Sequence, residues 1–180
     1  MDKQQAIEEL IIKQDVRDVM MRYARGVNRL DGDLVKSCFH PDAVEQHGPY
    51  FGDTQAWADE LPDALREMFQ FTFHLLGNSL IEIEGNRASQ ETYFIGYHRF
   101  HPNENGEEKD VLFGGRYLGI HESRDGGPWL ISQRSVVHDW SRVDKVAEKW
   151  SAVDEFNQGG HSGGRTDLAY DLLVRGPFSR

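Results

Sequence analysis

The chain has 180 residues, with thirty Asp and Glu against twenty Lys and Arg, a formal charge of −10. That length fits one domain, and that charge disfavours DNA, RNA and anionic membranes as partners. A hydrophobic content of 38%, with 11% aromatic residues, excludes a disordered chain. No apolar run approaches the roughly twenty residues of a transmembrane helix. The start, Met1-Asp2-Lys3-Gln4-Gln5, lacks the basic and apolar regions of a secretory signal. Cys38 stands alone, so no intrachain disulfide can form, and a cytoplasmic location is the expectation.

From Gln4 to Leu30 apolar residues recur at three- and four-residue steps, which predicts an amphipathic helix. A shorter helix is expected through Leu34, Val35, Cys38 and Phe39, capped by Asp31 or Asp33 and ended before Pro41. A third follows Asp53-Thr54, with Trp57, Leu61, Leu65 and Met68 on its apolar side and Pro62 at its start or at a kink. After Gln70 the period shortens to two. Strands are then predicted over Phe71 to Leu76, Leu80 to Glu84, Arg87 to His101, Asp110 to Glu122 and Trp129 to Trp140, with a tight turn at Gly85-Asn86. Residues 1–145 read as one domain. Residues 146–180 read as a tail, with a Gly-rich stretch at Gly159 to Gly164 and a short helical pattern at Leu168, Leu172 and Leu173, lying on the domain or on a partner subunit. The glycine run lacks the Lys-Ser/Thr ending of a phosphate loop.

Helices followed by a curved antiparallel sheet predict an α+β architecture in which helices cover the concave face and a pocket lies between. Strand alternation limits what enters it. On the last strand Leu130, Ser132, Arg134, Val136, His138 and Trp140 share one face. On the first, Thr72, His74 and Leu76 oppose Phe71, Phe73 and Leu75. On the long strand Tyr93, Ile95 and Tyr97 alternate with Phe94, Gly96 and His98, and periodicity does not choose between the sets. The eight His include no pair at His-x-Glu-x-x-His spacing, so no metal is expected.

The segments Tyr23-Ala-Arg-Gly-Val-Asn28, His40-Pro-Asp-Ala, Thr72-Phe-His74-Leu-Leu-Gly-Asn78, Gly114-Gly-Arg-Tyr and Arg134 through Asp139-Trp140 carry a resemblance. Over residues 6 to 143 they resemble the SnoaL-like branch of the nuclear transport factor two-like superfamily. That branch is similar to scytalone dehydratase, a bile-acid dehydratase and hexachlorocyclohexane dehydrochlorinase. The resemblance implies a cone-shaped sheet over a hydrophobic pocket, in a homodimer or homotrimer.

It also implies roles. An Asp late in the first helix and a His on the first long strand form the relatives' proton-transfer dyad. The His falls at His74, while Asn28 stands at the position of the Asp. Asn can hold an imidazole but cannot stabilise imidazolium as a carboxylate does. Asp31, three residues on, is the candidate substitute. The relatives' cavity positions fall on Ile95 and Tyr97, which makes Tyr97 an acid or oxyanion donor. Their buried Arg falls near Arg134, with Glu91 or Asp31 as the expected partner. Tyr23, Tyr50, Phe73, Tyr93, His138 and Trp140 are the expected substrate contacts, His138 also a second acid/base.

The implied activity is a cofactor-independent lyase. It would carry out dehydration, elimination or retro-aldol-type C–C cleavage such as deformylation, on a small hydrophobic hydroxylated aromatic or cyclic compound. The alternative is a non-catalytic binding module, or a subunit resembling the small subunit of a ring-hydroxylating dioxygenase. An imidazole base predicts activity that falls as pH drops through the ordinary imidazole range.

Overall fold

The computed structural model describes residues 2–146 together with Asp167, Ala169 and Tyr170. The first helix, α1 (Lys3–Arg29), opens with a capping box: the Asp2 side chain accepts from the Gln5 backbone, and the Gln5 side chain accepts from the Asp2 backbone. Val16, Val19, Met20, Tyr23 and Val27 form its buried stripe. Each such side chain contributes about 1.5 to 3 kcal/mol on burial, which fixes the rotation of α1 about its axis. Leu30 then turns left-handed, with φ 54°, and the chain folds back into α2 (Gly32–Lys36), capped by Asp31. The two helices meet at Gly26, where a Cβ would lie 2.7 Å from the Val35 side chain.

Two strands follow where sequence periodicity shows none: β1 (Phe39–His47) and β2 (Tyr50–Asp53). The expected second helix therefore ends at Lys36, and Phe39 opens a strand instead. Asp53 caps α3 (Thr54–Met68), which carries Pro62 in its interior. Four long strands complete the sheet: β3 (Phe69–Glu84), β4 (Arg87–Phe100), β5 (Lys109–Ser123) and β6 (Trp129–Lys145). The two strands expected within 71 to 84 are one, interrupted by a register shift between Leu76 and Ser79.

The six strands run in the order β2-β1-β6-β5-β4-β3, antiparallel except for the parallel β1–β6 pair. The helices lie against one face of this curved sheet, and the main core between the layers includes Tyr23, Val27, Phe39, Phe94, Tyr117 and Ile131. This is the α+β cone expected from the sequence. Among the described residues no helix is long and apolar enough to cross a membrane.

The helical pattern at Leu168, Leu172 and Leu173 and the glycine run lie outside the described residues. Asp167 pairs with Arg29 at 2.8 Å, and the Tyr170 hydroxyl donates to Asp31 at 2.7 Å.

Candidate functional site

A cavity of about 250 Å³ opens between the helices and the sheet. Trp57, Leu61 and Leu65 of α3 and Tyr23 and Val27 of α1 form its helical wall. The sheet contributes His74, Phe94, His98, Phe113 and His138, and His47 enters from β1. A larger hollow of about 380 Å³ lies between α2 and α3, lined largely by Asp31, Asp33, Asp59 and Arg66. The histidine-lined cavity is the better site because it combines apolar walls with a few convergent polar groups.

His74 is held at three points by Asn28. The backbone N–H of His74 donates to Asn28 Oδ1 at 2.7 Å, and Asn28 Nδ2 donates to the His74 carbonyl at 3.2 Å. Because a backbone N–H can only donate and a carbonyl can only accept, these two bonds fix which way the amide faces. The same Oδ1 lies 2.9 Å from His74 Nδ1. An amide oxygen has no hydrogen to give, so Nδ1 carries the proton and Nε2 keeps its lone pair. Burial, then the positive charges of His98, His47 and Arg134, push the His74 imidazole down to about 3. His74 is therefore neutral at physiological pH, and the fall in activity expected across the ordinary imidazole range moves to more acid conditions.

His98 is the neighbour of His74 in the cavity, with ring centroids 5.3 Å apart. Its Nδ1 meets Thr72 Oγ1 at 2.9 Å, and its ring stacks on Phe69 and Phe113. Gly96 makes room for this stack, since a Cβ there would lie 2.6 Å from the Phe113 ring. Burial first, then His138 and His47, lower the His98 imidazole to about 4.

This arrangement corrects the expectation that Tyr97 faces the cavity. Alternation along β4 is unbroken from Ala88 to His98, so Phe94, Gly96 and His98 point inward and Tyr93, Ile95 and Tyr97 outward. The Tyr97 hydroxyl donates instead to Asp110 at 2.8 Å, beside the Arg99–Asp110 ion pair. Phe73 is outward for the same reason, alternating with Thr72 and His74. Tyr93 and Phe73 are 45% and 43% exposed.

Trp140 is displaced by a bulge. Gly115 pairs with His138 and Gly114 with Trp140, so Asp139 is the extra residue and the alternation inverts after it. Trp140 covers Gly114 on the outer face, half-exposed, while His138 stays in the cavity. An earlier shift at Ser132 likewise puts Ile131 inward in place of Leu130 and Ser132. Tyr50 donates to the Asp53 carbonyl at 2.7 Å and does not line the cavity. Asp31 caps α2 through the Leu34 N–H, so it does not replace the missing dyad carboxylate.

Tyr23 does line the cavity, and the Arg134 guanidinium lies 3.7 Å from its ring centroid. Arg134 is fully buried, and its partner is neither Glu91 nor Asp31. It is Glu45, which accepts from Nη2 at 2.6 Å and is itself fully buried. Glu91 pairs with Arg116 on the outer face. Burial raises the Glu45 carboxyl, but Arg134 and His47 outweigh it and hold Glu45 below the usual carboxylate range. Glu45 Oε1 also meets His47 Nδ1 at 3.2 Å. Glu45 and His47 were not among the expected site residues, and the spacing of the two residues on one strand face was the available signal.

Among the described residues no cluster of three or more His, Cys, Asp or Glu could hold a metal ion. The cavity histidines fall into two adjacent pairs, His74 with His98 and His47 with His138, and the Phe113 ring contacts both His74 and His138.

Residues 8–135 match the SnoaL-like domain family model. No curated protein matches the chain in sequence. Among solved structures, the chain is similar to a putative scytalone dehydratase from Novosphingobium aromaticivorans, at 15% identity and a TM-score of 0.64, covering 74% of this chain and 88% of that one. It is also similar to a hexachlorocyclohexane dehydrochlorinase from Novosphingobium barchaimii, at 16% identity and a TM-score of 0.66, over 80% and 96% of the two chains. A nuclear transport factor 2-like superfamily protein from Salmonella enterica serovar Typhimurium matches at 18% identity and a TM-score of 0.62, over 72% and 92%. The family match spans well over half of the sequence, and the chain belongs to the SnoaL-like family, with the nuclear transport factor two-like fold.

Proposed function

We propose that the protein is a cofactor-independent lyase in which Nε2 of His74 takes a proton from a small, largely apolar, hydroxylated aromatic or cyclic compound. The observation that carries this reading is the Asn28 clamp, which leaves an unprotonated imidazole nitrogen in a cavity with mostly apolar walls. A base needs its lone pair free, which the clamp provides, and the mostly apolar lining limits its contact with water. An engineered apolar cavity of about 150 Å³ takes benzene. The larger volume of this one suits a substituted ring or a small fused system. Dehydration, elimination and retro-aldol cleavage all begin with such a proton transfer. The similarity to a putative scytalone dehydratase and to a dehydrochlorinase supports the same class. The homodimer or homotrimer expected from the resemblance belongs to this proposal, and sedimentation velocity measures it.

One observation favours a second reading, a binding module without chemistry. Asn28 cannot stabilise an imidazolium, and His74 is correspondingly hard to protonate. A screen of hydroxylated aromatic, terpenoid and steroid compounds by thermal shift and mass spectrometry, without added cofactor, separates the two. A compound that stabilises the protein and then loses water or a one-carbon fragment, with the loss abolished in His74→Ala, supports the lyase. A compound that stabilises and returns unchanged supports the binder.

A further inference from the structure

Glu45 and His47 form a carboxylate–imidazole pair that faces the same cavity as His74, on a strand that sequence reading did not detect. We propose that His47, oriented by Glu45, is the general acid of this pocket and protonates the leaving oxygen while His74 takes the proton from carbon. The inference rests on the lyase reading and extends it to a second catalytic residue.

Four observations carry it. Glu45 is completely buried and pinned by Arg134 at 2.6 Å, so its position is fixed from behind. Its other oxygen meets His47 Nδ1, which leaves Nε2 as the nitrogen that can give and take a proton in the cavity. His47 has about a third of its side chain exposed, so it can exchange protons with water, as a recycling acid must. His74 lies between α1 and the sheet and is held as a neutral base by Asn28. The two imidazoles therefore sit in unlike settings, one backed by a carboxylate, the other by an amide. Such a difference divides acid from base.

The other two histidines fit the role less well. The His98 ring is stacked between Phe69 and Phe113 with Nδ1 on Thr72. Among the described residues no carboxylate hydrogen-bonds to His138, whose ring lies edge-on to His47 at 6.0 Å.

For a β-hydroxy ketone the step balances as follows. The C–H bond between carbonyl and carbinol carbons breaks, its proton goes to His74 Nε2, and its electron pair becomes the C=C bond. The C–O bond breaks with its pair on oxygen, which takes the Nε2 proton of His47 and leaves as water. Proton exchange through solvent returns His47 to its acid form and His74 to its basic form.

Two probes separate acid from base. Nitrobenzisoxazole opens by proton abstraction alone, because its phenolate leaving group needs no acid. The aldol adduct of benzaldehyde and acetone needs both groups to dehydrate. The proposal predicts that His47→Gln lowers adduct dehydration at least about thirtyfold more than it lowers nitrobenzisoxazole opening, the scale of one general acid. His47→Asn should give the same ratio, and an unshifted thermal midpoint confirms the fold of each.

Equal losses on both probes overturn the proposal, because a structural role would produce them. So does a selective loss that appears in His138→Gln and not in His47→Gln, and so does a wild-type protein that opens nitrobenzisoxazole but leaves the adduct untouched. The base reading fails separately, if His74→Ala opens nitrobenzisoxazole as fast as the wild type.

Discussion

Replacing Asn28 by Asp tests how the clamp sets the strength of the base. The change is isosteric. One carboxylate oxygen still accepts from the His74 backbone N–H and from Nδ1, now 2.7 and 2.9 Å from a charged group. The other oxygen faces the His74 carbonyl in place of the Nδ2 donor, at 3.2 Å. A carboxylate this close raises an imidazole by roughly 1 to 3 pH units. Two units correspond to about 2.7 kcal/mol of proton affinity. If about half of that reaches the transition state, the barrier falls by about 1.4 kcal/mol, roughly tenfold in rate. His74 is unprotonated at neutral pH, so the added basicity appears in the rate. The lost amide bond and the oxygen–oxygen contact cost about 1 to 3 kcal/mol of stability, a few degrees of thermal midpoint. Nitrobenzisoxazole opening at pH 7 is the assay. A folded variant with an unchanged or slower rate would refute the claim that Asn28 limits the basicity of His74.

Three further outcomes follow from the packing. His74, His98 and His121 have folded pKa values of about 3, 4 and 3, all depressed chiefly by burial. The unfolded chain therefore takes up these protons first, and their stabilisation, complete above about pH 6.5, is lost as pH falls toward 4. Each gives up at most about 1.4 kcal/mol per pH unit, so the thermal midpoint should drop clearly from pH 7 to 5, and equal midpoints would contradict the neutral state. Glu45→Gln strands the buried Arg134 charge and should cost about 3 to 5 kcal/mol, read as a lower urea midpoint with an unchanged slope. A loss below about 1 kcal/mol would mean that Arg134 finds other compensation. Tyr97→Phe removes a hydrogen bond to Asp110 on the outer face, for about 0.5 to 1.5 kcal/mol of stability. A tenfold fall in turnover by this variant would return Tyr97 to the cavity.

The elements with strong local period were legible in the sequence. The helix at 3–29, the third helix and the strands β4 and β5 fall within a few residues of their expected bounds, and β6 starts where expected and runs on to Lys145. Strand β1 was not. His40-Pro41-Asp42 looks like a loop, and the strand exists because it pairs in parallel with β6, some ninety residues away, a contact that leaves no local pattern. The faces of β4 were written in its alternation, but only the folded sheet says which face the helices cover. On β6, bulges at Ser132 and Asp139 move Trp140 out while keeping Arg134 and His138 in, and no glycine or proline marks either one. His74 and Asn28 were found by resemblance, and the fold joins them across 46 residues. The Glu45–Arg134 pair, separated by 89 residues, followed from neither period nor motif.

The measurement closest to the central claim is a nitrogen-15 NMR spectrum of the histidine side chains from pH 8 to 5, with His74 assigned by substitution. The account predicts a neutral ring protonated at Nδ1 and bare at Nε2 throughout that range. A ring protonated at Nε2, or an imidazolium at neutral pH, would leave no lone pair on Nε2 for the substrate proton and would contradict it.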